Sequence, residues 1–313
     1  MTSDLSEFCD VNGVLLRREA VVAGIDDNAL GRLVRAGVLL RLRQGIYALR
    51  TRWLEADERQ RHLMLLGGVL RLYDERVVVS HASSVALHGG PLWGLDLTSI
   101  HLTRFAGTGR KQSRIVHHRG TLRAGDVTRR DGHWLTAPAR CVMEVATVAT
   151  SEVTLGVAND FLHRKLMTVP DLVVAKEAMV EWPNTIGHHV VTQLADPRIE
   201  SVGESRSLHM FWRFGLPTPE LQWEIWGLDG RPFARVDFAW PQHRLIIEFD
   251  GMEKYHRYRR PGETIEQMVM REKRREDRVR ELTGWTVLRL TWADLAAPEA
   301  TIARIRRAMS LAA

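Results

Sequence analysis

Three carboxylates lie close together in the segment RVDFAWPQHRLIIEFDG, which has the pattern of two short strands joined by a turn. They are Asp237, Glu248 and Asp250. Because side chains alternate along a strand, Glu248 and Asp250 are expected on the same face of the second strand. Acidic residues on otherwise apolar strands are costly, so this trio indicates a site.

The length of the turn decides whether Asp237 joins the other two acids. If Pro241 and Gln242 form a two-residue turn, Asp237 pairs with Ile246 and lies diagonally across from Glu248 on the same face. A hard divalent cation would relieve the repulsion between such carboxylates. The sequence therefore predicts a Mg²⁺ (or Mn²⁺) site that could activate water for phosphodiester hydrolysis.

An alternative interpretation needs no metal. One or two of these acids could pair instead with arginines on neighbouring strands, and the sequence offers Arg235, Arg244 and Arg289 for that role. A turn longer by one residue would also move Asp237 to the opposite face. Both interpretations stay open at this point.

Composition indicates the class of partner and the compartment. The 313 residues include 44 Lys and Arg against 38 Asp and Glu, a net charge of +6, which favours an anionic partner such as nucleic acid. Cys9 and Cys141 are the two cysteines, so a disulfide framework is not expected. The acidic start and the short apolar runs predict a cytoplasmic protein without a membrane span.

Residues 13–50 have the order helix, turn, helix and hairpin. A start signal at Asp26 precedes the second helix, Gly37 closes it, and two short strands flank Gly45. This order is typical of a winged helix-turn-helix, whose second helix enters the major groove of DNA. The expected DNA-binding residues are two arginines on the second helix and three polar residues near the wing: Arg32, Arg35, Arg41, Arg43 and Gln44. A solvated helix face is the alternative role of the arginines.

The same segment resembles the N-terminal domain of AbiEi-type antitoxins, the transcription-repressing partners in type IV toxin-antitoxin systems. Their pattern LxRLVRxGxLxRxRxGxYAL is nearly met from Leu30 to Leu49. The resemblance implies DNA binding by this domain and a cognate toxin as a further partner.

The middle of the chain has helix and strand patterns, and the resemblance to AbiEi-type antitoxins implies that it forms a small α+β domain. Two helices are expected in ADERQRHLMLLGGVLRLYDE and SHASSVALHGG, followed by a strand pair in LTSIHLTR and SRIVHHR, and then by three helical segments. Five of its histidines fall between residues 81 and 118, at positions 81, 88, 101, 117 and 118. Their spacings match no metal-ligand pattern, so structural or surface roles are favoured.

The C-terminal part has the predicted order α, β, β, β, α, β. It resembles the PD-(D/E)XK nuclease superfamily, most closely its very-short-patch-repair-like branch. The motif D(x)F(x)WP followed by R-L-hydrophobic-hydrophobic-E-hydrophobic-D-G is met from Asp237 to Gly251. The resemblance implies that Asp237 and Glu248 bind the metal and that Glu204, on the preceding helix, supplies a further acid.

This chain departs from the superfamily pattern at one position. A lysine should stand two residues after Glu248, and Asp250 stands there instead. Asp250 could bind metal or act as a base, but it cannot supply a positive charge. Lys254 is the nearest substitute, and Lys273 on the long helix is a second. Glu272 lies within that helix's apolar stripe, as a further ligand or as a partner for arginine.

These features predict an α+β / α/β multidomain protein. We expect a winged helix-turn-helix in residues 1–52, a small α+β domain in 53–197 and a restriction-endonuclease-like αβββαβ domain in 198–313. The expected function is DNA binding with Mg²⁺-dependent endonuclease activity, carried by Glu204, Asp237, Glu248, Asp250 and Lys254. The alternative is a non-catalytic transcriptional regulator or antitoxin in which the nuclease fold is degenerate.

Overall fold

The computed structural model describes residues 5–73, 77–104, 110–112, 114–251 and 262–311. Contacts divide the chain into two compact units, each built from two separate segments. Unit 1 consists of Met1–Thr150 and Pro170–His188, and unit 2 consists of Ser151–Val169 and His189–Ala313. No helix in the described ranges has an apolar stretch long enough to cross a bilayer.

Unit 1 begins with the predicted helix, turn, helix and hairpin, preceded by one additional short strand. The elements are β1 (Val14–Leu16), α1 (Arg17–Val22), α2 (Asp27–Arg35), β2 (Leu39–Arg43) and β3 (Ile46–Leu49). The three strands form an antiparallel sheet in the order β1-β3-β2. This arrangement is compatible with a winged helix.

The predicted start and end signals of α2 are present. The Asp26 side chain accepts a hydrogen bond of 2.7 Å from the backbone N–H of Ala29, which caps the helix. Gly37 follows the helix with a φ of 72°, a left-handed conformation that favours glycine. Gly45, with a φ of 79°, lies in the turn between β2 and β3.

A six-stranded sheet follows in unit 1, with the strand order β6-β7-β5-β4-β9-β8. Its strands are β4 (Val77–Val79), β5 (Ile100–Arg104), β6 (Arg110–Gln112), β7 (Ile115–Arg119), β8 (Val127–Arg130) and β9 (His133–Thr136). The two strands of the expected strand pair, β5 and β7, are neighbours in this sheet, and they lie in parallel. The antiparallel neighbour of β7 on its other side is β6.

Helices occupy much of the chain between residues 50 and 194. They are α3 (Arg50–Glu55), α4 (Glu58–Leu72), α5 (His81–His88), α6 (Pro138–Ala146), α7 (Ser151–His163), α8 (Val169–Glu177) and α9 (Ile186–Leu194). Val14 and Ile46 of the N-terminal sheet share one hydrophobic core with Leu65 of α4 and with Val79 and Ile100 of the large sheet. The N-terminal elements also have a hydrophobic cluster of their own, which includes Leu15, Leu30 and Tyr47.

Unit 2 has the predicted order α, β, β, β, α, β and ends in two more helices. Its elements after α9 are α10 (Val202–Arg213), β10 (Glu220–Trp226), β11 (Pro232–Trp240), β12 (Leu245–Phe249), α11 (Ile265–Thr283), β13 (Thr286–Leu290), α12 (Trp292–Ala296) and α13 (Pro298–Leu311). The sheet order is β10-β11-β12-β13. β12 and β13 are parallel, and the other pairs are antiparallel.

The sheet of unit 2 is covered on both faces. Leu245 and Ile247 pack in one cluster with Phe211 of α10, whereas Ile246 packs in another with Val279 of α11. Successive residues of a strand point to opposite faces, so β12 is buried on both sides. The carboxylate of Glu248 is therefore set in a largely apolar strand.

Candidate functional site

The N-terminal domain presents cationic side chains from α2 and from the β2–β3 hairpin. Arg32 and Arg35 of α2 are exposed, and so are Arg41 of β2 and Gln44 of the turn. Arg43 is half-buried, and its Nε has no hydrogen-bond partner among the described residues. These side chains can contact phosphate oxygens without first breaking a strong internal ion pair.

An ion pair fixes the starts of the two N-terminal helices. Arg17, the first residue of α1, donates through Nε to Asp27 at 2.6 Å, and its Nη2 lies 2.5 Å from the second carboxylate oxygen. The hydrogen bond from Arg17 lowers the pKa of Asp27. This two-point contact joins α1 to α2, the helix that carries Arg32 and Arg35.

In unit 2 the strand register differs from the predicted one. The connection is a four-residue stretch with a 3₁₀ turn at Pro241–His243, so Ala239, and not Asp237, pairs with Ile246. The register aligns Phe238 with Ile247, and its next step brings Asp237 opposite Glu248. Because the connection is longer by two residues, the two acids keep the expected common face.

Among the described residues, arginines contact Glu248 and Asp250. Arg275 of α11 contacts Glu248 at 2.7 Å, and Arg289 of β13 lies 3.6 Å from Asp250. Asp237 accepts a 2.7 Å hydrogen bond from the backbone N–H of Phe249. The structure thus contains the predicted type of arginine partner for Asp250, while the partner of Glu248 comes from a helix and not from a neighbouring strand.

Arg235 and Glu272 are two further residues for which the sequence suggested ion pairs. Arg235 pairs with Glu200. Glu272 of α11 contacts Arg275 at 3.0 Å and Arg271 at 3.1 Å. It is therefore a partner for arginine, one of the two roles that its position in the apolar stripe suggested.

Glu204 is buried near the start of α10. It accepts hydrogen bonds from Ser201 Oγ at 2.7 Å, from the Glu200 N–H at 3.1 Å and from Gln222 Nε2 at 3.1 Å. Ser201 in turn accepts a hydrogen bond from the Glu204 N–H. Glu204 is thus engaged in capping its own helix and in a contact with β10.

A three-carboxylate Mg²⁺ site needs oxygen atoms from all three acids close to one ion. Among the described residues, the acids form no group in which three donor atoms lie within 4.8 Å of one another. Lys254 lies outside the described residues, and Lys273 is exposed on α11. As arranged here, the acids do not fit a preformed three-carboxylate Mg²⁺ site.

Three histidines of unit 1 do come together, against the expectation from sequence. His81, His101 and His118 each place a ring nitrogen within 4.8 Å of the other two. His101 lies on β5 and His118 on the parallel neighbour β7, whereas His81 is the first residue of α5. The one signal that could have revealed this group is the parallel pairing of β5 and β7, which spacing along the chain does not show.

Burial favours the neutral form of two of these imidazoles, His81 and His118. Burial lowers the pKa of His81 well below its usual range, and the neighbouring His118 and His101 lower it further. Burial likewise lowers the pKa of His118 to about 4. A neutral imidazole has a lone pair available to accept a hydrogen bond or to bind a metal ion.

A cavity of about 690 Å³ in unit 1 adjoins the histidines. His81 and His118 line it together with Arg104 and Arg119. The indole of Trp182 forms part of the wall and lies 4.4 Å from the guanidinium of Arg140. The cavity is thus lined by both imidazoles and cations.

Comparison with known proteins identifies the class of the N-terminal domain. Residues 5–50 match the family model for the AbiEi antitoxin, a transcriptional regulator. This segment contains α1, α2 and the β2–β3 hairpin. The N-terminal domain is therefore similar to the AbiEi antitoxin family of transcriptional regulators.

Two relatives extend over most of the chain. They are the uncharacterized proteins MT2308 of Mycobacterium tuberculosis strain CDC 1551 and Rv2248 of strain H37Rv. Each is 29% identical over 279 residues, which cover 88% of this chain and 93% of the relative.

Proposed function

We propose that the protein is a DNA-binding transcriptional regulator of the antitoxin type, acting in the cytoplasm with DNA and a cognate toxin as partners. The observation that carries this proposal is the match of residues 5–50 to the AbiEi antitoxin family. In this reading, the C-terminal unit is a scaffold and has no catalytic role.

Exposed arginines on α2 support the proposal physically. In a winged helix the second helix lies in the major groove, and here that helix carries Arg32 and Arg35 at its solvent-exposed positions. Arg41 and Gln44 lie on the β2–β3 hairpin, the wing, which would place them near the DNA backbone. Each phosphate neutralised by an arginine releases a counterion, so binding by these residues should weaken as salt rises.

The experiment is a binding titration on the DNA upstream of the protein's own gene, followed by fluorescence anisotropy at several salt concentrations. The Arg32→Ala/Arg35→Ala variant should bind at least about tenfold more weakly, with a salt slope reduced by about one per lost phosphate contact. Arg307→Ala, an exposed arginine of α13, is the matched control and should bind like the wild type. Equal affinity of all three proteins would contradict the proposal.

Metal-dependent DNA hydrolysis is the second candidate function. It is favoured by one observation, the register that brings Asp237 opposite Glu248 on adjacent strands. The contacts of Arg275 with Glu248 and of Arg289 with Asp250 weigh against it, because they already neutralise two of the acids.

A plasmid assay separates the two functions. The protein is incubated with supercoiled DNA and Mg²⁺ or Mn²⁺, alongside Asp237→Asn, Glu248→Gln and the control Glu224→Gln, an exposed acid of β10. Nicking that is lost in the first two variants and kept in the control would support hydrolysis. Absence of nicking, or nicking unchanged in all variants, would remove this candidate without affecting the regulator proposal.

A further inference from the structure

The histidine cluster of unit 1 has the donor set of a transition-metal site. His101 Nδ1 and His118 Nε2 lie 2.8 Å apart in a hydrogen bond, and the ring of His81 stacks on that of His118 at 3.6 Å between centroids. All three side chains come from regular elements with a defined register. The cluster is thus built into the fold and not assembled from loops.

The spacing of the nitrogens is close to that of bound imidazoles. Three imidazoles on tetrahedral zinc, each about 2.0–2.1 Å from the metal, place their nitrogens about 3.3 Å apart. Here the contact between His101 and His118 is shorter than this distance, and all ligand atoms lie within 4.8 Å. To surround one ion at that spacing, each pair of nitrogens needs to change its separation by no more than about 1.5 Å.

Binding of a metal ion to His101 and His118 requires no net loss or gain of protons by the two rings. In the hydrogen bond between His101 and His118, one imidazole donates and the other accepts. When a metal ion replaces the shared hydrogen, the donor ring moves its proton to its other nitrogen. Both rings stay neutral, as ligating imidazoles are.

Ser80 and Glu144 lie on the Nδ1 side of His81, where they can hold its ring in place for metal binding. Its Nδ1 lies 3.0 Å from Ser80 Oγ and 3.9 Å from the buried carboxylate of Glu144, which leaves Nε2 as the ligand atom. Glu144 is itself held by Arg140 at 3.1 Å. Carboxylates and hydroxyls behind ligating histidines fix the tautomer and the orientation of the ring.

We propose that His81, His101 and His118 bind a divalent transition-metal ion, Zn²⁺ in the first instance, with a further coordination position open to the adjoining cavity. Three imidazoles without carboxylates suit Zn²⁺, Cu²⁺ or Ni²⁺ and do not suit Mg²⁺. Because Arg104 and Arg119 line the same cavity, the open position would accept water or an anionic ligand.

The test measures Zn²⁺ binding to the full-length protein, purified without a histidine tag and stripped with a chelator, by calorimetry and by metal analysis after dialysis. We expect one ion per chain that excess Mg²⁺ does not displace. Co²⁺ in its place should give the visible absorption of a low-coordinate imidazole site. Absence of stoichiometric Zn²⁺ and Co²⁺ binding would show that the histidines are only a hydrogen-bonded stack and would overturn the proposal.

Variants on one strand provide the matched control. His118→Gln should weaken Zn²⁺ binding by at least about 100-fold, because the loss of a ligand costs more than the roughly 10–100-fold lost when a group that only supports a ligand is removed. His117→Gln changes the adjacent residue on the opposite face of β7, where the ring contacts Tyr73, and should bind like the wild type. His101→Gln repeats the test from β5. Zn²⁺ affinity that is unchanged in both His118→Gln and His101→Gln would overturn the assignment, and circular dichroism checks that each variant is folded.

Discussion

Among the described residues, the negative charge of Glu248 is balanced by one long side chain, that of Arg275 on α11. The Glu248 side chain is 12% exposed, and that of Arg275, 2.7 Å away, is 30% exposed. Burial alone would lower the pKa of Arg275, but the charges and hydrogen bonds of Glu248 and Glu272 outweigh burial and raise it. The arginine therefore stays charged between two acids.

Removing this arginine should destabilise unit 2 more than removing an exposed one. We expect Arg275→Ala to lower the free energy of unfolding by about 2–3 kcal/mol, somewhat below the usual cost for a fully buried pair, because it leaves Glu248 unpaired. Arg278→Ala breaks a pair with Glu281 in which both side chains are about half exposed or more, and should cost under about 1 kcal/mol. Urea denaturation of the two variants and the wild type measures the difference.

A double variant isolates the reason for the loss. Adding Glu248→Gln to Arg275→Ala should restore part of the stability, since a neutral amide tolerates burial better than an unpaired carboxylate. An equal cost of Arg275→Ala and Arg278→Ala, or no recovery in the double variant, would contradict the role given to Arg275.

At the residue scale, local pattern predicts which side a strand residue faces but not its partner. The common face of Asp237 and Glu248 was predicted despite a wrong turn length, because two extra residues leave parity unchanged. The contact with Arg275 joins residues 27 positions apart, through a helix whose rotation on the sheet is set by packing. The histidine cluster was also missed because its members come from three separate elements that meet only in the folded protein.

At the scale of elements, α4 contains two adjacent glycines with opposite surroundings. A Cβ on Gly68 would lie 2.7 Å from Ile46 Cγ2 and 3.2 Å from Val14 Cγ1, both in the N-terminal sheet. A Cβ on Gly67 would meet nothing within 4 Å. Gly68 is therefore a point of close approach between the helix and the sheet, whereas Gly67 only weakens the helix.

Alanine at the two positions should have opposite effects. Gly67→Ala should stabilise unit 1 by up to about 1 kcal/mol through helix propensity. Gly68→Ala should destabilise it by about 1–3 kcal/mol, because Ile46 and Val14 must move in a packed core. Thermal unfolding of the pair decides the point, and a stabilised Gly68→Ala protein would show that α4 does not pack closely on the sheet.

Elements with strong end signals were predicted well. Helix α11 extends over Ile265–Thr283, where a long helix was predicted, and Thr264 and Gly284 lie at its two caps. The hairpin of β8 and β9 was missed although Asp131 and Gly132 at its turn both have positive φ, as an Asp-Gly turn requires. The strands β5 and β7 were predicted as a pair, but no local signal showed that they are parallel.

At the scale of the molecule, the chain alternates between the two units. Residues 151–169 belong with 189–313, and residues 170–188 belong with 1–150. Division of the sequence at 52 and 197 followed changes in local composition and pattern. Such changes do not reveal which distant segments pack together, since packing partners are chosen in three dimensions.

A cut at residue 197 should therefore damage the C-terminal unit, because it removes α7 from α10. Arg206 of α10 contacts Glu152 at 2.7 Å, and Asn159 donates to Ser205 at 3.1 Å across the buried helix pair. Without α7, the face of α10 that carries Arg206 and Ser205 would be exposed to water.

We expect the fragment 198–313 to aggregate or to unfold without cooperativity when it is produced alone. Coexpression with the fragment 1–197, which restores α7 in trans, should recover soluble protein in which both pieces copurify. Yield, circular dichroism and hydrogen exchange of α10 measure the rescue. If the isolated fragment unfolded cooperatively with the midpoint of the intact chain, α7 would contribute nothing to unit 2. The boundary expected from sequence would then be the physical one.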